Sequence, residues 1–262
     1  MKYFFLSDNI LIMTSSLKNK SALVAGGSGG IGREVSLALA HAGTNLTVHG
    51  SQKSDKTCSL ASEIAGLCGI APKIITQNLL ESSFSGLENS ELLEAARKTD
   101  ILCVSFGPFV QKPLHETNIS DWEKVSLYDY ALPGFLVSSA LPNMMKNHFG
   151  RILLFGGTGT SYRTEFSTNA AYAGAKSALN VLVSSVAANY AQYGITCNAI
   201  CPGFVETEYL SEEQKDALAK KMPGGKLISE ENIAKTALFL LENAGINGEV
   251  LRMDGGWSPF KS

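Results

Sequence analysis

Tyr172 and Lys176 stand four residues apart in Asn169-Ala-Ala-Tyr-Ala-Gly-Ala-Lys-Ser-Ala-Leu179. On a helix, residues i and i+4 share one face, one turn apart. An ammonium beside a phenol favours the phenolate. The free phenol titrates near pH 10, and one nearby cation lowers that by roughly 1–3 units. A tyrosine placed this way can give and take a proton near neutral pH. The same spacing also occurs on solvated helix faces, so the pair gains meaning only from what stands elsewhere in the chain.

The second informative run is Leu23-Val-Ala-Gly-Gly-Ser-Gly-Gly-Ile-Gly-Arg33. Ser21–Ala25 reads as a short buried strand, 26–32 as a glycine-rich turn, and 34–42 as the start of a helix. A strand, a glycine turn and a helix in that order form a phosphate site. Gly26 permits the tight turn, Gly30 lets the backbone approach a pyrophosphate, and Gly32 lets the helix pack on the sheet. The spacing from Gly26 is G-x-x-x-G-x-G rather than G-x-G-x-x-G, and a plain loop would also fit such a run. No Gly-Lys-Ser/Thr follows, which argues against a nucleoside triphosphate loop.

Those two motifs, with Pro202-Gly203 and Thr207 and with Asp254-Gly-Gly256, occur in an order that resembles the short-chain dehydrogenase/reductase family. The similarity covers roughly residues 18–258 and leans toward the 3-oxoacyl-carrier-protein reductase-like branch. The resemblance implies an NAD(P)-dependent oxidoreductase acting on a carbonyl or secondary alcohol.

The elements that must position these residues are legible in the pattern. Apolar β-rich runs at 21–25, 45–49, 73–77, 100–104, 151–156, 196–200 and 249–253 alternate with helical segments. Such alternation predicts one α/β domain: a doubly wound, Rossmann-type fold with a seven-stranded parallel sheet and helices on both faces. The chain has 262 residues, 45% hydrophobic and 18% charged, which suits one compact core. The net charge of −2 gives no general attraction to nucleic acid or anionic membranes. The five cysteines form neither a disulfide framework nor a zinc spacing, so no metal is expected and a reducing cytoplasm fits best. Residues 1–17 read as an N-terminal arm, disordered or packed in an oligomer contact. Its apolar runs are too short to span a membrane, and Met13 is an alternative start to Met1.

For the cofactor, the resemblance places Gly26, Ser28, Gly30, Ile31 and Gly32 at the dinucleotide. After the second strand, NAD-selective enzymes carry an acid for the ribose 2′-OH. Here Ser51 and Gln52 stand there, followed by Lys53, so NADP(H) is expected ahead of NAD(H). Asn78, next to Leu79, replaces the acid that usually meets the adenine. Val104-Ser-Phe-Gly107 replaces Asn-Asn-Ala-Gly, so Gly107 can admit the ribose while two supporting amides are missing. Pro202, Gly203, Val205 and Thr207 keep the family pattern that holds the nicotinamide amide and the diphosphate.

For catalysis, the resemblance implies that Tyr172 donates its proton to the carbonyl oxygen. Lys176 holds the ribose and lowers the tyrosine pKa. The hydroxyl that holds the substrate oxygen is usually a serine 12–14 positions before the tyrosine. Gly156 and Gly157 stand where a Ser-Ser pair is common, which leaves Thr158 first and Thr160 and Ser161 as alternatives. The usual supporting asparagine is Asp129, expected to hold a water, to pair directly with Lys176, or to be a surface helix residue.

No Lys or Arg occurs in 177–214, and no charge in 130–145. Helices this poor in charge are usually buried on more than one side, and with the resemblance they imply a homotetramer. The same gap disfavours an acidic acyl carrier protein relative to a small free substrate, although Lys146, Lys220, Lys221 and Lys226 remain as basic sources. Residues 208–229 resemble the family's substrate lid. The altered helpers keep a second function open: a dinucleotide-binding sensor or structural subunit with little or no activity.

Overall fold

The computed structural model describes residues 15–52, 55–81 and 83–258. Its elements alternate. β1 (Ser21–Ala25), α1 (Gly30–His41), β2 (Asn45–Gly50), α2 (Asp55–Cys68) and β3 (Lys73–Thr76) form the first half. α3 (Glu91–Ala96), β4 (Ile101–Val104), α4 (Ile119–Ser126), α5 (Leu132–Asn147), β5 (Gly150–Phe155), α6 (Ala170–Tyr190) and β6 (Ile195–Pro202) follow. β7 (Val205–Glu206), α7 (Glu212–Ala219), β8 (Ile228–Ser229), α8 (Glu230–Glu242) and β9 (Val250–Met253) complete the chain.

Seven strands form one parallel sheet in the order β3-β2-β1-β4-β5-β6-β9. Because both faces are covered, the central strands are mostly apolar and buried rather than alternating. Alternate residues of β1 feed opposite cores. Leu23 and Ala25 pack with α3, α5 and α6, while Ala22 and Val24 pack with α1, α2 and α8. The chain winds outward in both directions from β1 and β4, so the loops after those two strands diverge and leave a crevice at their carboxyl ends.

The seven strands lie where the sequence pattern predicts them, with ends shifted by a few residues. α1 begins at Gly30, because the last glycines of the turn form its first turn. Of the expected N-terminal arm, the described residues are 15–17. Leu17 is fully buried in the core, and the Ser15 hydroxyl donates to Glu242 at 2.6 Å. Residues 1–14 of that arm lie outside the described residues. Among the described residues, no helix is long and apolar enough to cross a membrane.

α4 and α5 are joined by a π-helical turn, Leu127–Ala131, in which Leu132 N–H returns to the Leu127 carbonyl. Pro133 lacks an N–H and cannot bond to the Asp129 carbonyl four residues earlier, which explains the widened turn at this point. The turn aims Asp129 inward.

Candidate active site

α6 begins just after Asn169, whose carbonyl accepts from Ala173 N–H at 2.8 Å. Tyr172 lies in its first turn, half-buried, and Lys176 lies one turn later, buried. The Phe109 ring stands edge-on to Tyr172, with centroids 4.9 Å apart. Gly157, at the end of β5, supports the other side: a Cβ there would come within 2.9 Å of the tyrosine ring and 3.1 Å of its hydroxyl oxygen. A serine at this position, common in the family, would crowd Tyr172 in this packing.

Lys176 is held by the π turn. Its Nζ lies 3.1 Å from Asp129 Oδ1, and both side chains are out of solvent. Among the described residues, neither carboxylate oxygen of Asp129 has a hydrogen-bond partner, so the contact is an ion pair without hydrogen-bond geometry. Burial pushes the Asp129 carboxyl up to about 6, although the Lys176 charge pulls the other way. Desolvation thus outweighs the attraction. Of the three sequence readings of Asp129, direct pairing with Lys176 is the arrangement found.

The expectation that Lys176 lowers the Tyr172 pKa is not met in this arrangement. Burial first, then the Asp129 charge, then Cys201, hold the Tyr172 hydroxyl above its ordinary value. The ammonium stands 6.0 Å from the tyrosine ring centroid and is countered by the nearer carboxylate.

Three hydroxyls compete for the place of the missing serine. Thr158 lines the same cavity as Tyr172 and donates to the Pro202 carbonyl at 3.1 Å. Thr160 is buried, donates to the Gly157 carbonyl at 2.9 Å and accepts from Gly157 N–H at 3.0 Å. The Ser161 oxygen is closed off from solvent. Thr158 alone of the three opens to the cavity. Ser177 and Asn180 on α6 both donate to the Thr160 carbonyl, at 3.1 and 3.0 Å, and lock this loop in register with Tyr172.

The cavity measures about 730 Å³. Beside Tyr172 and Thr158 it is walled by Phe204 and Trp257 and roofed by the α7 segment. The parallel pair β7 and β8 brackets that segment, so residues 208–229, where the resemblance suggests a lid, contain a helix on a two-stranded base. Gln214, Ala217 and Leu218 face the cavity from α7, and Leu210 and Lys221 line it from the turns on either side.

A separate groove of about 380 Å³ runs along the crevice. It is lined by Gly26, Ser28, Gly30, Ile31, Gly32, Ser51, Gly107 and Thr207, all singled out from the sequence. Asn78, Leu79, Pro202, Gly203 and Val205 lie outside its lining. Leu79 is fully buried in the core, so only its backbone can reach a ligand. Gly203 has a packing reason, since a Cβ would come within 2.8 Å of the Asp254 backbone. Lys53 lies outside the described residues.

The close backbone approaches in the groove suit a dinucleotide. Gly26 has φ +79°, and a Cβ there would meet the Phe106 backbone at 2.7 Å. At Gly32 a Cβ would collide with the Gly26 carbonyl, and at Gly107 with Asp129 and with Lys176 Nζ. These positions keep the crevice narrow and bring the Lys176 ammonium up behind Gly107. Ser105 takes over the support that the missing asparagines would give: its hydroxyl lies 3.2 Å from the Ala25 carbonyl and 3.0 Å from that of Gly26.

Two features of the groove were missed from the sequence. His49 Nδ1 accepts from Gly26 N–H at 3.2 Å, and Nε2 lies 3.0 Å from the Gln77 carbonyl. That pairing fixes one neutral tautomer under the glycine turn. The second is Glu208, whose carboxylate oxygens both accept from Gly30 N–H at 3.2 Å, with Lys56 Nζ 3.7 Å away. A carboxylate therefore sits where a helix N-terminus would take a phosphate. Burial first, and then Glu208, push Glu230 up to about 7. The sequence signal for Glu208 was only its place directly after Thr207.

A family model described as enoyl-(acyl carrier protein) reductase matches residues 25–258. The chain is 30% identical over 253 residues to the 3-oxoacyl-[acyl-carrier-protein] reductase FabG of Aquifex aeolicus (strain VF5), covering 93% of this chain and 99% of that one. It is 28% identical over 257 residues to a D-beta-hydroxybutyrate dehydrogenase of Rhizobium meliloti (strain 1021), covering 91% and 98%. A crystal structure of a 3-oxoacyl (acyl-carrier-protein) reductase from Agrobacterium tumefaciens C58 with NADP bound superposes with a TM-score of 0.84 at 25% identity, over 97% of this chain and 100% of that one. With the parallel sheet, the glycine crevice and the Tyr172–Lys176 helix, these matches establish that the chain is an oxidoreductase of the short-chain dehydrogenase/reductase family, in its 3-oxoacyl reductase-like branch.

Proposed function

We propose that the chain moves hydride between a bound nicotinamide dinucleotide, NADP(H) ahead of NAD(H), and a carbonyl or secondary alcohol. The observation that carries this reading is the position of Tyr172. It opens into the cavity of about 730 Å³, while Lys176 stands behind Gly107 at the edge of the glycine groove. One helical turn thus spans the space between a substrate chamber and a cofactor crevice.

In this reading Tyr172 gives its phenolic proton to the carbonyl oxygen in reduction and takes it back in alcohol oxidation. A neutral phenol is the form the proton donor needs, and burial keeps it so. Thr158 turns its hydroxyl from the Pro202 carbonyl to the substrate oxygen and holds it beside Tyr172. Lys176 serves the ribose across Gly107, and Asp129 positions Lys176. Gly26, Ser28, Gly30, Ile31, Gly32 and Thr207 border the diphosphate, and Asn78 the adenine. Glu208 must leave Gly30 N–H for a diphosphate to take its place.

NADP(H) is favoured because Ser51 and Gln52, not acids, follow β2, and the Agrobacterium relative holds NADP. The relatives' names, a 3-oxoacyl reductase and a hydroxybutyrate dehydrogenase, support carbonyl and alcohol chemistry. The charge-poor α5 and α6, whose charges are Lys146 at the end of α5 and the buried Lys176, support self-association as a homotetramer, tested by light scattering, where a monomer would contradict it. NADPH oxidation across a panel of carbonyl substrates, beside Tyr172→Phe, tests the function. NADPH binding without turnover of any substrate would favour the non-catalytic alternative.

A further inference from the structure

The cavity that holds Tyr172 has an unbalanced lining. Among the described residues, two cations, Arg163 and Lys221, line it, and no carboxylate does. Lys221 sits on the exposed lid, but Arg163 is fixed in the wall. Its backbone N–H donates to the Gly159 carbonyl at 2.9 Å. Its aliphatic stem lies across Gly159, where a Cβ would come within 2.6 Å of the Arg163 Cδ. Its guanidinium carbon stands 4.6 Å from the Phe166 ring centroid and 5.9 Å from that of Trp257. Among the described residues, the guanidinium makes no ion pair and no hydrogen bond.

Aromatic rings beside it attract the cation but leave the guanidinium N–H groups without an acceptor, and those groups match the two oxygens of a carboxylate. A half-buried cation left unpaired in a pocket wall is set to receive an anion from outside. Arg163 also follows Thr158 by five residues on one loop, so the group that receives the charge and the hydroxyl near the reacting oxygen are positioned together.

Resting on the reductase reading above, we infer that the substrate is an oxo acid or hydroxy acid, and that Arg163 holds its free carboxylate while Tyr172 addresses its carbonyl or alcohol. Lys221 adds a second positive charge from the lid. An acyl thioester lacks the free carboxylate, so Arg163 selects the small acid over the carrier-bound acyl chain.

The test uses 2-, 3- and polyhydroxy acids, each paired with its methyl ester, titrated calorimetrically into the full chain saturated with NADP+. NADPH oxidation by the corresponding oxo acids and oxo esters is followed in parallel. Wild type is expected to bind at least one acid about 10- to 100-fold more tightly than its ester, the range for a hydrogen bond to a charged group. Arg163→Met is expected to collapse that ratio toward one, acting on KM more than on kcat, and Arg163→Lys to recover part of it. Equal binding of acids and esters by wild type, an unchanged ratio in Arg163→Met, or binding and turnover confined to neutral ketones would each overturn the inference and leave the reductase reading standing. Acids bound through Arg163 but never turned over would sink the reductase reading and leave the carboxylate site standing.

Discussion

Lys176 Nζ lies 3.1 Å from Asp129 Oδ1, with both groups shut away from water. The ammonium is thereby committed to a carboxylate before it can act on the phenol of Tyr172. The Asp129 charge in turn holds the Tyr172 hydroxyl up. Removing that charge should reverse the effect. In Asp129→Asn, the alkaline limb of alcohol oxidation, which follows phenol ionisation, is expected to move to lower pH by about one unit. Wild type should also show an inflection near pH 6 that the variant lacks, because the Asp129 carboxyl is pushed up to about 6. Superimposable pH profiles would contradict this coupling.

Gly107 separates the cofactor groove from that ion pair. A Cβ at this position would strike Asp129 and would lie 2.8 Å from Lys176 Nζ. Gly107→Ala is therefore expected to lower stability by about 1–3 kcal/mol, as overpacking does, and to weaken NADPH binding together with activity. Urea unfolding and fluorescence titration measure the two effects. A variant with wild-type midpoint and wild-type affinity would show that the pair yields freely.

Glu208 occupies the N–H of Gly30 with both its oxygens. A diphosphate must displace it, and a carboxylate at a helix N-terminus contributes about 0.3–1 kcal/mol. Glu208→Gln should bind NADPH roughly two- to fivefold more tightly. Unchanged or weaker binding would mean that the carboxylate does not compete with the cofactor.

His49 links pH to the glycine turn. Burial holds it below its ordinary value of 6.5, with the Gln77 carbonyl opposing. The unfolded chain then binds more protons just below pH 6.5, so the stability that neutral His49 contributes is full above 6.5 and is lost as pH falls below it. Asp129 works in the opposite sense: its contribution is full below 3.8 and is lost as pH rises through about 6. His49→Asn can still accept from Gly26 N–H but loses the Gln77 contact. It should be about 1 kcal/mol less stable at pH 7.5, and the deficit should shrink toward pH 5. A deficit independent of pH would show that His49 does not titrate with folding.

Much of this was legible in the sequence, for identifiable reasons. The apolar runs found the seven strands because strands buried on both faces leave a continuous signal, as in Ala22–Ala25 and Ile101–Val104. The glycines of 26–32 found the groove because a narrow crevice tolerates little else. Hydroxyl direction has no such signature. Thr158, Thr160 and Ser161 differ only in where the loop turns them, and the loop is set by Ser177 and Asn180 from another element. Asp129 reaches Lys176 through a π turn that local pattern does not announce beyond Pro133. Arg163 and Glu208 act through surroundings supplied by Phe166, Trp257 and Gly30, which only the folded chain brings near.

In the proposed reaction Tyr172 is the proton donor and acceptor. The most direct measurement compares NADPH oxidation by wild type and Tyr172→Phe with one turned-over substrate, alongside NADPH affinity for both proteins. The rate is expected to fall by about 10²–10⁴-fold while the affinity stays within roughly a factor of two, since the phenol lines the cavity beside Thr158 rather than the glycine groove. A phenylalanine variant that keeps the wild-type rate would contradict it.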